Sequence, residues 1–334
     1  MVGKRGRPAA SPTAGPHWDV DVKVGEGTYG SVYRGVDRRT GAVVALKRMR
    51  VAHQGISQSA LREISLLRRL RHENIVRLHD VHLEREEGGV RCLLVYEHVA
   101  SDLAHRIRAA RAAFLAPAAV RGVTAQLLAG LAHLHERHVM HRDIKPANLL
   151  VSADELMSRL KIADFGLART HVAPLRALHL DGPVVTVWYR APELLLGALS
   201  HSPAVDLWAA GCVLAECLLT RAAFQGKEAK DELQQSQLRS IFRVLGLPRE
   251  REWAELASLR HWATASGWAD DDEFRDVLEP WVRKHAPAAG PAPSDAALRL
   301  LRGLLRYAPE ARLAAPAALK QLRLEWPEPE GGVG

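Results

Sequence analysis

The chain has 334 residues, of which 47% are hydrophobic and 25% are charged. These proportions are ordinary for a folded protein with a sizeable core, so they exclude a wholly disordered chain, and the absence of a sequence repeat excludes a fibrous one. The net charge of +8 is compatible with an acidic partner such as a nucleic acid. Because the basic residues are scattered in pairs and no groove-reading motif is present, direct nucleic-acid binding is not expected.

No stretch approaches the roughly 20 consecutive apolar residues that a membrane-spanning helix needs. The N-terminus lacks the apolar segment of a signal peptide. Cys92, Cys212 and Cys217 stand in apolar surroundings without metal-like spacing, which predicts buried thiols in a reducing compartment. We therefore expect a cytosolic or nuclear protein with no membrane association.

Residues 1–17 are rich in Pro, Gly and Ala and are expected to form a flexible basic leader, although the cluster at Lys4–Pro8 leaves a nuclear-localisation or DNA-contact tail open. From Val22 to Leu46, short β-prone runs are separated by glycines and by a DRRTG segment, which predicts the hairpins of a small antiparallel sheet. A helix is predicted from Ser57 to Leu70, followed by strands that end at Tyr96.

After Ala100 the pattern changes and helical periodicity dominates. The predicted helices are Val120–Arg137, Ala204–Leu219, Glu232–Leu245 and Asp295–Leu305. The sequence thus predicts an α+β protein with a β-rich lobe over residues 18–97 and a larger α-rich lobe over 98–325, followed by a tail at 326–334.

The glycines at Gly25, Gly27 and Gly30 form a loop of the type that binds phosphates. A dinucleotide-binding fold would need a helix directly after them, whereas the strand-like run SVYRGV follows. The glycines are therefore predicted to lie in a hairpin, where backbone N–H groups can close over phosphates.

Lys47 and Glu63 are the next candidate pair. Period-two alternation places Lys47 on the same strand face as Ala45. Glu63 lies on the apolar stripe of its helix, where an unpaired carboxylate is unfavourable. Lys47 is its predicted partner, and a partly exposed Glu63 is the alternative.

The segments HRDIKPAN at 141–148, DFG at 164–166 and APE at 191–193 occur in this order. Together with the glycines, Lys47 and Glu63, they resemble the signature of the eukaryotic protein kinases over about residues 20–325. The resemblance implies a bilobal kinase fold, with one regulatory helix in the small antiparallel β lobe. It implies that Asp143 accepts a proton from the attacking hydroxyl, that Lys145 stabilises the transferring phosphoryl group of ATP, and that Asn148 and Asp164 hold Mg²⁺.

The same resemblance assigns a nucleotide site. It implies that the adenine lies between Val24, Val32 and Ala45 on one side and Leu150 on the other.

The edge of the adenine is then held by backbone groups of Glu97 and Val99, with Tyr96 as the gatekeeper and Asp102 near the ribose.

Two structural contacts are also implied. Asp206 matches the buried aspartate that braces the catalytic loop, and Glu193 is expected to pair with Arg312. Ala308 stands where the family usually has Asp, which weakens a local cap.

Further features resemble the cyclin-dependent kinases. The helix sequence SQSALREI at Ser57–Ile64 is similar to the PSTAIRE-type helix that a cyclin grips. Thr186–Glu193 resembles the segment that selects a proline after the phosphorylated residue, with Val185 and Arg190 as its expected readers. A MAP kinase fits poorly, because the activation loop lacks Thr-X-Tyr.

Asp181 is the most informative departure in that loop. Cyclin-dependent kinases usually carry a phosphorylated Thr at this position, and Arg62, Arg142 and Arg169 match the arginines that hold the phosphate. We hypothesise that Asp181 supplies a permanent anion of smaller charge. The alternative is that Asp181–Pro183 is merely a turn.

The stretch at 174–198 and the SxSAxREI helix, together with Asp181, resemble the Mediator-associated kinases that partner cyclin C. The segment FQGKEAKDELQQSQLRSIFRVLGLP at 224–248 and the following LRHW at 259–262 resemble in particular the plant and algal E-type cyclin-dependent kinases. This resemblance implies a nuclear kinase of the Mediator kinase module that acts on the RNA polymerase II C-terminal repeat. A cell-cycle kinase with inhibitory phosphosites at Thr28 and Tyr29 is the alternative. A non-catalytic kinase-fold scaffold is a further alternative. Such proteins usually lack the lysine, the catalytic aspartate or the metal-binding aspartate, whereas Lys47, Asp143 and Asp164 are all present here.

Overall fold

The computed structural model describes residues 17–27, 30–51, 55–86, 89–111, 113–171, 187–200, 202–227, 234–268 and 274–327. The chain divides into two compact units. Residues up to 71 and residues 76–99 belong to the first unit, and residues 72–75 and those from 100 onward belong to the second.

The first unit contains one antiparallel sheet in the order β1-β2-β3-β5-β4. Its strands are β1 (Trp18–Gly27), β2 (Gly30–Asp37), β3 (Val43–Val51), β4 (Leu78–Glu86) and β5 (Gly89–Glu97), and helix α1 (Gln58–Arg69) follows β3 in the chain. Hairpins join β1 to β2 and β4 to β5, as the glycine-punctuated β-prone runs predict for β1 and β2.

Strand alternation gives this sheet two chemically different faces. On one face, the side chains of Val44, Leu46, Leu93 and Val95 form an apolar cluster with Trp18 and Val20, and Tyr33 packs against it. The other face carries the intervening residues, among them Ala45 and Lys47 of β3 and Tyr96 of β5. The apolar cluster therefore anchors the sheet while the opposite face holds the candidate site residues.

Helix α1 begins where its sequence provides a cap. The Ser57 hydroxyl accepts a hydrogen bond from the Ala60 N–H at 3.2 Å, and Arg68 and Arg69 lie in the last turn, where positive charge is favourable. Ala60, Glu63 and Leu67 form the buried side of the helix, whereas Leu61 is 51% exposed.

The second unit is mainly helical in its described part. Its helices are α2 (Leu103–Ala109), α3 (Pro117–Glu136), α4 (Pro192–Leu195), α5 (Ala204–Leu219), α6 (Gln235–Leu245), α7 (Trp262–Ser266), α8 (Leu278–His285), α9 (Asp295–Leu304) and α10 (Ala315–Glu325). Helix α5 is buried on almost all sides, as expected for a helix that carries apolar residues around its whole circumference. Among the described residues of both units, no helix is long and apolar enough to cross a membrane.

Two small sheets frame the loops that follow. Strands β6 (Ser101–Asp102), β8 (Leu149–Val151) and β9 (Leu160–Ile162) form one, and β7 (Val139–Met140) pairs with β10 (Arg169–Thr170) in the other. The loop at 141–148 therefore connects β7 to β8, and the loop at 163–168 connects β9 to β10. Because β8 and β9 are adjacent, the end of the first loop and the start of the second lie side by side.

This architecture confirms the predicted α+β fold with an antiparallel β unit that carries one helix. The predicted helix start at Glu232 lies outside the described residues, and α6 is described from Gln235. Cys92, Cys212 and Cys217 are buried free thiols, as the sequence predicts. Ala308 stands at the N-terminus of a short 3₁₀ turn and provides no side-chain cap.

Candidate active site

The glycine-rich segment forms the hairpin between β1 and β2, with Gly27 opposite Gly30. Gly30 has φ of +152°, and a Cβ there would lie 1.9 Å from the Arg48 carbonyl oxygen, so the hairpin itself requires glycine at this position. A Cβ at Gly25 would meet no described atom within 4 Å. The lack of a side chain at Gly25 leaves open space over the backbone, which suits the close approach of a phosphate. Thr28 and Tyr29 lie outside the described residues.

The residues assigned to one side of the adenine lie on β1, β2 and β3. Val32 is opposite Lys47 in the β2–β3 ladder, and Ala45 is opposite Tyr96 in the β3–β5 ladder, so the four side chains share one face. Val24 is at a register shift of β1 and is 53% exposed. An exposed valine beside the hairpin provides an apolar surface.

Glu63 is held between two donors. The Lys47 Nζ lies 2.8 Å from one of its carboxylate oxygens, and the Tyr96 hydroxyl donates to the other at 2.7 Å. Glu63 itself is only 2% exposed. The pairing with Lys47 is the one that the sequence predicts, and the contact with Tyr96 was not predicted.

The other residues assigned to the nucleotide lie at the end of β5 and just after it, on β6 and on β8. The Glu97 N–H donates to the Arg77 carbonyl at 3.0 Å, and its carboxylate accepts from the Arg77 N–H at 2.7 Å. Val99 and Leu150 are half-buried. The Asp102 carboxylate accepts from the His105 N–H at 2.8 Å and caps α2, a local role beyond the one that the resemblance implies.

Asp206 braces the loop at 141–148 from the first turn of α5. Its carboxylate accepts hydrogen bonds from the N–H groups of His141 (2.9 Å) and Arg142 (2.7 Å), and the His135 Nε2 lies 2.9 Å from it. Burial alone would raise the pKa of Asp206, but the interactions with His135, His141 and Arg142 outweigh burial and lower the pKa. The fully buried carboxylate is therefore charged at neutral pH and fixes the backbone of the loop. The sequence reasoning did not identify His135 as its partner.

Asp143 is oriented by two neighbours in the same loop. The Lys145 Nζ lies 2.8 and 3.1 Å from its two carboxylate oxygens. The Asn148 side-chain amide donates to the Asp143 carboxylate and to its carbonyl, each at 2.8 Å. A carboxylate restrained in this way, 9% exposed, can accept a proton from a hydroxyl group that reaches it.

Asn148 and Asp164 supply the oxygen ligands that suit Mg²⁺. The backbone bond from the Ala163 N–H to the Asn148 carbonyl (2.9 Å) places Asp164 beside the end of the loop at 141–148. Because the Asn148 nitrogen points to Asp143, its amide oxygen faces away from that residue. Asp164 adopts φ of +62°, and its carboxylate accepts a hydrogen bond from the Gly166 N–H at 3.4 Å. In the described part of the chain no cluster of three His, Cys, Asp or Glu residues could hold a metal.

Comparison with known proteins identifies the family. Residues 18–322 match the protein kinase domain. The chain belongs to the protein kinase family. It is 40% identical over 301 residues to cell division control protein 2 homolog 3 of Trypanosoma brucei brucei, covering 89% of this chain and 88% of that protein. It is also 40% identical over 304 residues to cell division control protein 2 homolog D of Antirrhinum majus, covering 89% and 90%.

These relatives identify the protein as a cyclin-dependent serine/threonine kinase. Membership of the family implies the use of ATP and Mg²⁺, cyclins as partners and proteins as substrates. The hard oxygen donors of Asn148 and Asp164 suit Mg²⁺, and the open space above Gly25 suits the phosphates of ATP.

Two of the three candidate arginines of the kinase lie in or just after the β7–β10 ladder. Arg169 pairs with Met140 in the β7–β10 ladder, and Arg142 follows Met140 by two residues. Arg62 lies on α1 in the first unit. Asp181, the proposed anion, and Val185, a proposed proline reader, lie outside the described residues.

Arg190 directly follows the 3₁₀ turn Val187–Tyr189 of the kinase. Burial lowers the pKa of Arg190, while the charge of Asp143 opposes that shift. Gln237, fully buried on α6, donates to the Phe224 carbonyl and accepts from the Gly226 N–H. The Trp188 indole also donates to the Gly226 carbonyl at 3.0 Å, so Gln237 supports this segment, although nothing in its sequence context singled it out.

Tyr189 donates to Glu216 of α5 at 2.7 Å. Burial raises the pKa of Glu216 above its ordinary value of 4.5, and the hydrogen bond from Tyr189 only partly opposes this. A carboxyl group whose pKa is raised by folding contributes its full stability at a pH below its ordinary pKa. That contribution is lost as the pH rises through the pKa of the group in the folded protein.

Glu216→Gln is therefore expected to gain stability relative to the wild type as the pH rises above 4.5. The Gln side chain keeps an oxygen that can accept from Tyr189 but carries no charge to bury. The measurement is the difference in free energy of unfolding between the two proteins across pH 4–8. Glu325→Gln, at an exposed ion pair with Arg299, is the control, and a difference for Glu216→Gln that falls with pH would contradict the prediction.

Proposed function

We propose that this kinase phosphorylates Ser or Thr residues that precede proline, using residues of the loops at 141–148 and 163–168. The substrate hydroxyl oxygen attacks the γ-phosphorus of ATP, the bond to the β–γ bridging oxygen breaks, and ADP leaves. Asp143 accepts the hydroxyl proton, and Lys145 stabilises charge on the transferring group. The single observation that supports these roles is the triad of contacts among Asp143, Lys145 and Asn148 at 2.8–3.1 Å.

Lys47, held by Glu63, is proposed to bind the phosphates of ATP, and Asn148 and Asp164 to hold Mg²⁺. The metal ion, when bound, neutralises phosphate charge. Val185 and Arg190 are the proposed readers of the substrate proline.

We further propose that the partner is a cyclin of the C type and that the kinase acts in the Mediator kinase module on the RNA polymerase II C-terminal repeat, in the nucleus. The observation that supports this proposal is Asp181, which stands where cyclin-dependent kinases usually carry a phosphorylated Thr. Helix α1 adds support, because Leu61 is exposed on the segment that resembles a cyclin-binding helix.

A cell-division kinase is the second candidate, and the names of the two relatives at 40% identity favour it. The test is phosphorylation of an RNA polymerase II heptad peptide by unphosphorylated bacterial protein, with no cyclin, with cyclin C, or with a cell-division cyclin. We expect activity with cyclin C. Activity with the cell-division cyclin alone would favour the second candidate, and nuclear accumulation of a fluorescent fusion tests the location.

Asp181→Ala is expected to lower the activity of the cyclin-bound kinase by about 10-fold, because the arginines lose their anion. Asp181→Glu keeps the charge and should retain most of the activity. Asp295→Ala, a change at an exposed aspartate of α9, is the control. Unchanged activity of Asp181→Ala with cyclin would contradict the anion hypothesis and leave Asp181 as a turn residue.

A further inference from the structure

Glu63 has a second donor whose role the family signature does not assign. The Tyr96 hydroxyl donates to the Glu63 carboxylate at 2.7 Å, while the Lys47 Nζ binds the other oxygen at 2.8 Å. We propose that the Tyr96 hydroxyl is a positioning group that holds Glu63, and with it helix α1, in the position where Glu63 pairs with Lys47. This inference rests on the proposed role of the Lys47–Glu63 pair in binding ATP.

The sheet register explains why the hydroxyl reaches Glu63. Ala45 and Tyr96 are direct partners in the antiparallel β3–β5 ladder, and Lys47 is opposite Leu94. Partners in a ladder point to the same face, and residues two apart share it. Lys47 and Tyr96 therefore project from adjacent strands on one side of the sheet, where they meet Glu63 of α1 from two directions.

Burial makes this contact energetically important. The side chain of Glu63 is 3% exposed and that of Lys47 is 12% exposed, and Tyr96 as a residue is 7% exposed. A buried carboxylate needs a donor on each oxygen, because an oxygen without one loses its solvation with no replacement. Lys47 supplies one donor and Tyr96 the other. Tyr96→Phe would therefore leave one carboxylate oxygen of Glu63 buried without a donor whenever Glu63 is paired with Lys47.

The hydroxyl also acts on a conformational equilibrium. Helix α1 carries the segment at Ser57–Ile64 that resembles a cyclin-binding helix, so partner binding and the Tyr96 hydroxyl would favour the same position of Glu63. A group that stabilises one of two positions raises its population before the partner binds. The Tyr96 hydroxyl thus sets part of the basal activity of the chain, and removing it should increase the relative stimulation by a cyclin.

Tyr96→Phe tests the proposal in the full-length chain, because it removes the hydroxyl and keeps the ring. Losing a hydrogen bond to a charged group shifts an equilibrium by about 10-fold, so we expect kcat of the purified chain to fall by about 10-fold. The KM for ATP should change by less than about twofold, since the ring that faces the adenine site is retained. In the Glu63→Ala background the same substitution should change kcat by less than about twofold.

A second measurement does not depend on turnover. Hydrogen exchange of the backbone amides at 58–69 should be about 10-fold faster in Tyr96→Phe than in the wild type, because α1 leaves the paired position more often. The matched control is Tyr307→Phe, which loses a hydroxyl that donates to the Gly246 carbonyl at 2.6 Å, far from Glu63 in the sequence and in the second unit. It should change neither kcat nor exchange in α1.

Three results would overturn the proposal. The first is unchanged exchange in α1 of Tyr96→Phe. The second is a raised KM for ATP with unchanged kcat, which would assign the hydroxyl to the nucleotide. The third is an equal fall in kcat on Tyr96→Phe in the wild type and in the Glu63→Ala background. Failure of the pair itself is distinguishable, since Glu63→Ala would then leave kcat and the KM for ATP unchanged.

Discussion

Asp143→Asn is expected to lower kcat by about 10²–10⁴-fold, the range that loss of a general base produces. The amide is close to the carboxylate in size but does not accept the hydroxyl proton. Lys145 and Asn148 contact the carboxylate at 2.8–3.1 Å, so its position is fixed. The measurement is steady-state phosphorylation of a Ser-Pro peptide by the cyclin-bound kinase, with ATP binding followed in parallel.

Asp295→Asn is the matched control, because it makes the same chemical change at an exposed position of α9. It should leave kcat unchanged, and the KM for ATP should be similar in both variants. A fall in kcat of less than about 10-fold for Asp143→Asn would mean that another group accepts the proton. A large fall in ATP affinity would show instead that Asp143 supports the nucleotide site.

The roles of Asp143, Lys145 and Asn148 could be predicted from the resemblance to the protein kinases, which the HRDIKPAN segment carries. Their mutual contacts at 2.8–3.1 Å are a finding of the structure. The pairing of Lys47 with Glu63 spans 16 positions but could be predicted from two periodicities, since each residue lies on an identifiable face of its element.

The contacts that could not be predicted join distant elements through their precise register. Tyr96 reaches Glu63 across 33 positions, and this requires the β3–β5 ladder to pair Ala45 with Tyr96. His135 reaches Asp206 across 71 positions because α3 ends beside the first turn of α5. Strand pairing and helix packing are tertiary properties, and a hydroxyl or an imidazole in a periodic pattern gives no local signal of its partner.

The ion pair between Glu193 and Arg312 spans 119 positions and could be predicted only from the family resemblance. The guanidinium binds both carboxylate oxygens at 2.9 and 3.0 Å. It also donates to the carbonyls of Ala204, Arg306 and Tyr307 at 2.7–3.0 Å. Both charged side chains are almost fully buried, at 0% and 4% exposure. Arg312 therefore contacts three segments of the second unit, at Glu193, at Ala204 and at Arg306–Tyr307, through one planar group.

Arg312→Met is accordingly expected to lower the free energy of unfolding of the second unit by about 3–5 kcal/mol, because Glu193 would be left charged and buried without a partner. Urea unfolding followed by Trp fluorescence measures this, and Arg299→Met is the control, since Arg299 and Glu325 form an exposed pair worth about 0–1 kcal/mol. The double variant Glu193→Gln, Arg312→Met should be more stable than Arg312→Met alone, because its buried site carries no charge. Equal losses for Arg312→Met and Arg299→Met would contradict the prediction. A double variant less stable than Arg312→Met would show that the carbonyl contacts, rather than the buried charge, determine the loss.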